Sequence, residues 1–386
     1  MRGQRSTGGI VALLRATSCE GLVSVFAGPL VFAVVPVVTF AAAGMAAYRS
    51  GSLGVDFDAY VLGARRIMDG STPYDLPLLR ATLHAGAHEV ITPAYPPGTL
   101  LLFAPFAALP QAVGLALFIA VSIAALLAVP RVLGSRDLRC SFAMLISGGA
   151  LAGVVLGSVS PLIVLLVAVL WRVRNRDLPA AACVALLIAA KLLFWPLVLW
   201  LLLRRRLRAA ALAVVLAGLL LLASFAPVGT AGLHEYSTVV RLVAQIQQTD
   251  GFSVIAYAHF AGLSVLAGTV ATAAVAGLVA WRAASAQCRG DELAVFTWVL
   301  LLVLEASPIV WTHYLPILCI PLALAAPRVD RRWLVVVPLA PVMTSTTLDL
   351  PLMLPLVLVF VVGVVLIVER RAPMRGRAPV LTPAGG

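Results

Sequence analysis

Two stretches of this chain bring together side chains that could do chemistry. Asp56-Phe57-Asp58-Ala59-Tyr60 is followed by Arg65-Arg66 and by Gly70-Ser71-Thr72-Pro73-Tyr74-Asp75, and Tyr95-Pro96-Pro97-Gly98 comes soon after. Far downstream, Glu305-Ala306-Ser307-Pro308 leads to Trp311, His313 and Tyr314. Lys191 stands alone between them as the chain's one lysine. A carboxylate near such groups can take a proton from a hydroxyl, and a cation can hold the negative charge that develops on a leaving group. General-base-assisted group transfer needs both parts.

The elements that must position these groups are apolar helices. The 386 residues are 62% hydrophobic and 11% charged, with a mean hydropathy of +1.04, whereas soluble domains carry roughly 25% charged residues. The apolar residues run in continuous blocks, which favours membrane helices over a barrel of alternating strands. About twelve runs are visible, near 26–48, 99–130, 141–156, 160–171, 179–190, 192–203, 209–226, 259–281, 293–304, 314–327, 333–345 and 352–368. Several are too short for a full span and read as tilted, re-entrant or broken helices. Pro105 and Pro110 interrupt the 99–130 run, which reads as a short re-entrant helix followed by a span.

The formal charge of +12 is distributed as topology demands. With the N-terminus inside and one crossing per run, 22 of the 28 basic residues fall in inside loops, the positive-inside pattern. Nucleic-acid binding is therefore excluded as the source of the charge. The same assignment places all five histidines and the acids Asp56, Asp58, Asp69, Asp75, Glu89, Glu235, Asp250, Glu305 and Asp349 on or near the outer face. A multi-pass protein of the plasma (inner) membrane with both termini cytoplasmic is expected, its chemistry extracytoplasmic. The 26–48 run reads as a signal anchor. Residues 1–370 form one transmembrane domain with outer loops at 49–97 and 227–258, and 371–386 form a cytoplasmic tail. The five cysteines give no disulfide framework or metal set.

Each candidate has a plain structural alternative. A helix beginning near Phe57 would put Asp56 at its N-cap, so Asp56, Asp58 and Tyr60 read either as a capped interfacial helix or as a base at the outer surface. Two acids two residues apart cannot share one helical face, so their roles must differ. Arg65 and Arg66 either snorkel or stabilise a phosphate. Tyr95 opens a rigid turn into the membrane. Lys191, an ionisable group in an apolar stretch, is a functional candidate by default. Glu305, Trp311, His313 and Tyr314 combine an aromatic belt with more titratable groups than a belt needs. Arg241, Gln245, Gln247, Gln248 and Asp250 mark either an amphipathic interfacial helix or an acceptor-binding surface.

Taken in order, these pieces resemble the polyprenyl-phosphate-mannose-dependent mannosyltransferases, the phosphatidylinositol-mannoside α-1,2-mannosyltransferase type within the GT-C superfamily. The resemblance is carried by Asp56-x-x-x-Tyr60, Gly70, Pro73-Tyr74-Asp75, Tyr95-Pro96-Pro97 and the run to Leu109-Pro110. It continues through Gly157-Ser158-Val159-Ser160, Lys191 with Arg204-Arg205-Arg206, and Ser307-Pro308-x-x-Trp311-x-His313-Tyr314. It spans roughly residues 50–320. Ser158 and Ser160 stand where the family often shows the amides of Gly-Gln-x-Asn, so those amides have no counterpart here.

The resemblance implies an all-α polytopic bundle of about 10–12 transmembrane helices with the active site in extracytoplasmic loops. It implies a polyprenyl-phosphate-linked mannose donor and a glycolipid or lipoglycan acceptor, both presented at the lipid surface. Inversion would give an α-mannosidic linkage, α-1,2 in type. Asp56 would be the catalytic base, matching the family's Asp-x-x-x-Tyr spacing. Asp58, Tyr60, Arg65, Arg66, Tyr95, Lys191, Arg241, Glu305, Trp311, His313 and Tyr314 would bind substrate or phosphate, without an obligatory metal or other cofactor. The rival functions are a transporter or lipid flippase with a midplane site, for which no internal repeat is visible, and a scaffold, which would need no Lys191, Glu305 or His313 near membrane depth.

Overall fold

The computed structural model describes residues 19–85, 92–247, 251–305, 307–339 and 350–371, with side chains from residue 34 onward except at 350–352. The expected N-terminal segment before residue 19, His88, Glu89, Gln248, Asp250, Asp349 and the tail beyond Arg371 lie outside the described residues. Among those described, every regular element is helical.

The chain starts with α1 (Cys19–Ser50), which takes in the 26–48 run. It then folds the first expected loop into two amphipathic helices, α2 (Val55–Met68) and α3 (Leu76–His84). Proline breaks the next run into α4 (Pro97–Leu101) and α5 (Ala104–Ala107) before the long α6 (Gln111–Val132), because a proline ring cannot continue a preceding helix. A bent pair follows, α7 (Leu138–Leu145) and α8 (Gly148–Val155), at 68°. The centre is built from α9 (Ser160–Val173), α10 (Asp177–Ala190), a 3₁₀ turn at Leu192–Phe194, and α11 (Pro196–Leu203). Next come α12 (Leu207–Phe225), α13 (Gly229–Gln247), α14 (Val254–Phe260), α15 (Val265–Cys288) and α16 (Glu292–Glu305). A 3₁₀ segment (Thr312–Leu318) runs into α17 (Cys319–Ala325), a second lies at Arg331–Leu339, and α18 (Leu350–Arg370) closes the described chain.

Among the described residues, four helices are long and apolar enough to cross a membrane, or five if the bent pair is one span. Shorter apolar helices of 10–17 residues accompany them. The protein is thus an all-helical polytopic membrane protein whose spans are partly discontinuous, as the short runs in the sequence required. The axis of the bundle is α16. Its residues from Leu293 to Leu304 are buried except Trp298, and a helix apolar on every side belongs inside. By contrast, α12 and α15 turn Val214, Val215, Leu219, Leu222, Leu266, Val270 and Leu278 outward, a surface suited to hydrocarbon rather than water.

The second expected loop is mostly α13, and its amphipathic pattern is explained by packing. Val239, Val243, Ile246 and Tyr236 bury against Tyr74 and Leu79 from the α3 region and Phe225 from α12. Together α3 and α13 form a cap beside the bundle.

Candidate functional site

The site is assembled where α2 meets α8. Helix α2 begins at Val55, with Gly54 (φ 76°) as its N-cap and no side-chain cap. This corrects the expectation of a start at Phe57 with Asp56 as the cap. The reason lies in the main chain. The Gly54 N–H donates to the Val155 carbonyl at 2.9 Å and the Asp56 N–H to the Leu156 carbonyl at 3.0 Å. The orphan donors of one helix start are thus satisfied by the orphan acceptors of another helix end, and the Asp56 carboxylate is not used up in capping. Gly157 makes the joint possible. It has φ +69°, and a Cβ there would lie 2.6 Å from the Phe57 Cβ, so a side chain is excluded on both counts.

Asp56 faces a polar cluster. The Tyr60 hydroxyl lies 3.5 Å from its Oδ2, one helical turn further on. Burial pushes the Asp56 carboxyl up to about 6, while the positive charge of Lys191 and hydrogen bonds from Ser158 and Tyr60 pull it back. The residue is half-buried, protein surrounds its carboxylate, and desolvation dominates. Asp58, two residues on, points roughly 200° away around the helix and has no ion pair or hydrogen bond to its carboxylate among the described residues.

Lys191 is held at the end of α10, as its C-cap with an extended backbone (φ −157°, ψ 115°). The carbonyl ends of a helix favour a cation there. Thr99 on α4 donates to the Ala190 carbonyl at 3.0 Å, tying α4 to the same helix end. The Lys191 Nζ donates to the Tyr95 hydroxyl at 3.2 Å and sits 3.5 Å from the Tyr314 ring centroid, a cation–π geometry. The rings of Tyr60 and Tyr95 meet edge-on at 5.1 Å, and those of His313 and Tyr314 at 4.7 Å. The His313–Tyr314 segment comes this close because α8 presents Gly149, where any Cβ would collide with the Thr312 carbonyl.

Lys191, His313, Tyr314 and Ser160 form the polar part of a recess whose other walls are Ile163, Val164, Leu193, Phe194, Leu304 and Ile317. Asp56 does not line the recess but adjoins it through Tyr60 and Lys191, so a hydroxyl presented to Asp56 could lose its proton while Lys191 faces a departing anion.

Of the residues singled out in the sequence, the fold brings together Asp56, Tyr60, Tyr95, Lys191, His313 and Tyr314. Trp311 borders them, its carbonyl accepting the Tyr314 N–H at 3.0 Å. Glu305 ends α16 next to Leu304, and its electrostatic neighbour is Tyr257 rather than Lys191. Arg65 and Arg66 are not in the cluster. Nine residues of helix separate Asp56 from Arg65, about 13 Å along the axis. Arg65 donates to the Ala107 carbonyl at 3.0 Å, and Arg66 pairs with Asp75 at 3.3 Å. Arg241 is exposed on α13.

Sequence reasoning did not find Ser158 as a partner of Asp56, because that proximity comes from the α2–α8 joint. Nor did it separate Tyr74 from its neighbours. The Tyr74 hydroxyl donates to the Tyr95 carbonyl at 2.8 Å, and the one available hint was its place in Pro73-Tyr74-Asp75.

A family model described as Glycosyltransferase family 87 matches residues 94–308, more than half of the chain. The matched range includes Tyr95, Ser158, Lys191 and Glu305 but stops short of Asp56 and Tyr60 on one side and His313 and Tyr314 on the other. No curated protein and no solved structure matches the chain.

Proposed function

The chain belongs to glycosyltransferase family 87, and from that premise we propose that it moves a mannosyl residue from a polyprenyl-phosphate donor to a glycolipid or lipoglycan acceptor. The reaction takes place at the extracytoplasmic face of the plasma membrane, with both chain termini cytoplasmic. The acceptor hydroxyl oxygen attacks the anomeric carbon as the carbon–oxygen bond to the polyprenyl phosphate breaks. Asp56 receives the hydroxyl proton. Lys191 and His313 face the phosphate that carries away the electron pair. One displacement inverts the centre, so a β-linked donor gives an α-mannoside, of α-1,2 type by the resemblance in the sequence. The Lys191 ammonium meets the charge of the leaving group, with the His313 ring beside it.

The observation that carries this reading is the pairing of Asp56, whose proton affinity burial has raised to about 6, with Lys191 across one polar cluster. A carboxylate of ordinary acidity would be a weaker base near neutral pH.

The test is sugar transfer by the purified protein in nanodiscs, with short-chain polyprenyl-phosphate-mannose and a panel of mannosylated glycolipids. Transfer that Asp56→Asn abolishes supports the reading. A folded protein that binds the donor yet transfers to no acceptor sinks the mannosyl or acceptor assignment. Failure to bind the donor at all favours a transporter.

A further inference from the structure

The segment that carries Tyr95 is poor in main-chain donors. Pro93, Pro96 and Pro97 have no N–H, and the backbone from 93 to 96 is outside any helix. A buried irregular segment of this kind must find its hydrogen bonds elsewhere. The Tyr95 carbonyl finds its partner in the Tyr74 hydroxyl at 2.8 Å. Tyr74 is itself 3% exposed, and its ring lies 5.7 Å from that of Tyr236 in the α3–α13 cap. Ala94 and Ile309 also pack on this cap cluster. Both strands of chain that lead into the site therefore rest on it. From Tyr95 the path continues through its hydroxyl, which accepts from Lys191 at 3.2 Å.

We propose that Tyr74 is a positioning residue of the transferase: its hydroxyl pins the Tyr95 main chain so that the Tyr95 hydroxyl and ring hold the Lys191 ammonium where the leaving phosphate must sit. The inference rests on the placement of Lys191 at the reacting phosphate given under Proposed function. Tyr74 touches no substrate in this account and acts through Tyr95 alone.

The chain supplies its own reporter, because Lys191 is the one lysine and ¹³Cε-lysine labelling gives a single side-chain resonance. Tyr74→Phe keeps the ring in the cap and removes the pin. It is expected to shift that resonance and to lower kcat roughly tenfold, the worth of one lost hydrogen bond to a positioned group, with KM for the acceptor little changed. Tyr95→Phe, which breaks the next link, should shift the same resonance. Tyr236→Phe alters the same cap without touching the Tyr95 carbonyl and should leave the resonance in place.

A Tyr74→Phe spectrum indistinguishable from that of Tyr236→Phe overturns the pin. So does a shifted resonance with unchanged kcat, since the position of the lysine would then be immaterial to the reaction. Transfer that survives Lys191→Gln undiminished is a different failure: it removes Lys191 from the reacting phosphate and sinks that part of the proposed function, whatever the spectra show.

Discussion

The two ends of α9, α10 and α16 treat charge in opposite ways. At one end lie Arg174, Asp177 and Glu292, and there carboxylates are matched with guanidinium groups. Glu292 meets Arg174 at 2.7 Å and Arg204 at 2.6 Å, Asp177 meets Arg206 at 2.6 Å, and Glu369 meets Arg282 at 2.8 Å. Arg371 pairs with Asp291. In the loops at this end, hydrogen bonds from Arg139 and Arg332 hold Asp137 and Asp330 below the usual carboxylate range. At the other end of the same helices are Ser160, Lys191 and Leu304, and here Asp56 has no ion pair among the described residues while burial raises it to about 6. A carboxylate held by arginine, as Asp137 and Asp330 are, has lost affinity for protons and can only hold structure. One that is desolvated and lacks a direct counter-ion keeps that affinity, and that is what a base requires.

The contrast breaks most visibly at Asp56. Asp56→Asn preserves the shape and removes the base, and sugar transfer should fall by ~10²–10⁴ with the melting temperature held or raised, because a desolvated carboxylate has been replaced by a neutral amide. Asp58→Asn, on the opposite side of the same helix, should retain nearly full transfer. The reverse outcome in a side-by-side assay would assign the base to Asp58.

Lys191→Gln comes next. Loss of the one cation that lowers the Asp56 carboxyl should reduce transfer about 10²-fold and leave donor binding weaker. Lys191→Arg should not restore it fully, because the Tyr95 and Tyr314 rings surround a compact ammonium and a guanidinium is a wider, planar group.

The pH profile sharpens the same point. The base works as the carboxylate, and its affinity for protons is raised in the fold. On the acid side, kcat/KM should therefore fall as the pH drops through about 6, well above the ordinary aspartate value near ~3.9. In Lys191→Gln the midpoint should move further up, because removing a nearby positive charge favours the neutral acid. A wild-type midpoint near the ordinary value would remove Asp56 from the role.

Much of this was legible in the sequence because a membrane protein has few reasons to keep ionisable groups among apolar runs. Asp56, Lys191 and His313 were conspicuous for that reason, and the arginine clusters marked one end. Single residues, however, carry no distances. Arg65 and Arg66 are cations like Lys191, and only the packing of α5 and the start of α3 shows that they are engaged by the Ala107 carbonyl and Asp75. Ser158 read as a departure from a motif, yet the α2–α8 joint turns it toward Asp56. The amphipathic pattern of α13 left open whether it met lipid, substrate or protein, and the apolar cluster with Tyr74 and Leu79 supplies the protein partner.

The smallest expected effect tests the other end. Glu292→Gln leaves Arg174 and Arg204 facing each other without their shared carboxylate. Glu292 is 33% exposed and the two arginines 24% and 14%, so water screens part of the loss. Both guanidinium groups also keep other partners: Arg174 stacks 4.2 Å over the Trp171 ring, and Arg204 donates to Asn175 at 3.0 Å. The cost should be about 1–2 kcal/mol of stability, read as a lower melting temperature in nanodiscs. Transfer per folded molecule should stay within about twofold of wild type, since α16 carries no charge from Glu292 to the recess and a rigid, fully packed helix has no second arrangement to adopt. A collapse of transfer in a well-folded Glu292→Gln protein would mean that the arginine-matched end also sets the geometry around Asp56, and the division of labour between the two ends would fail.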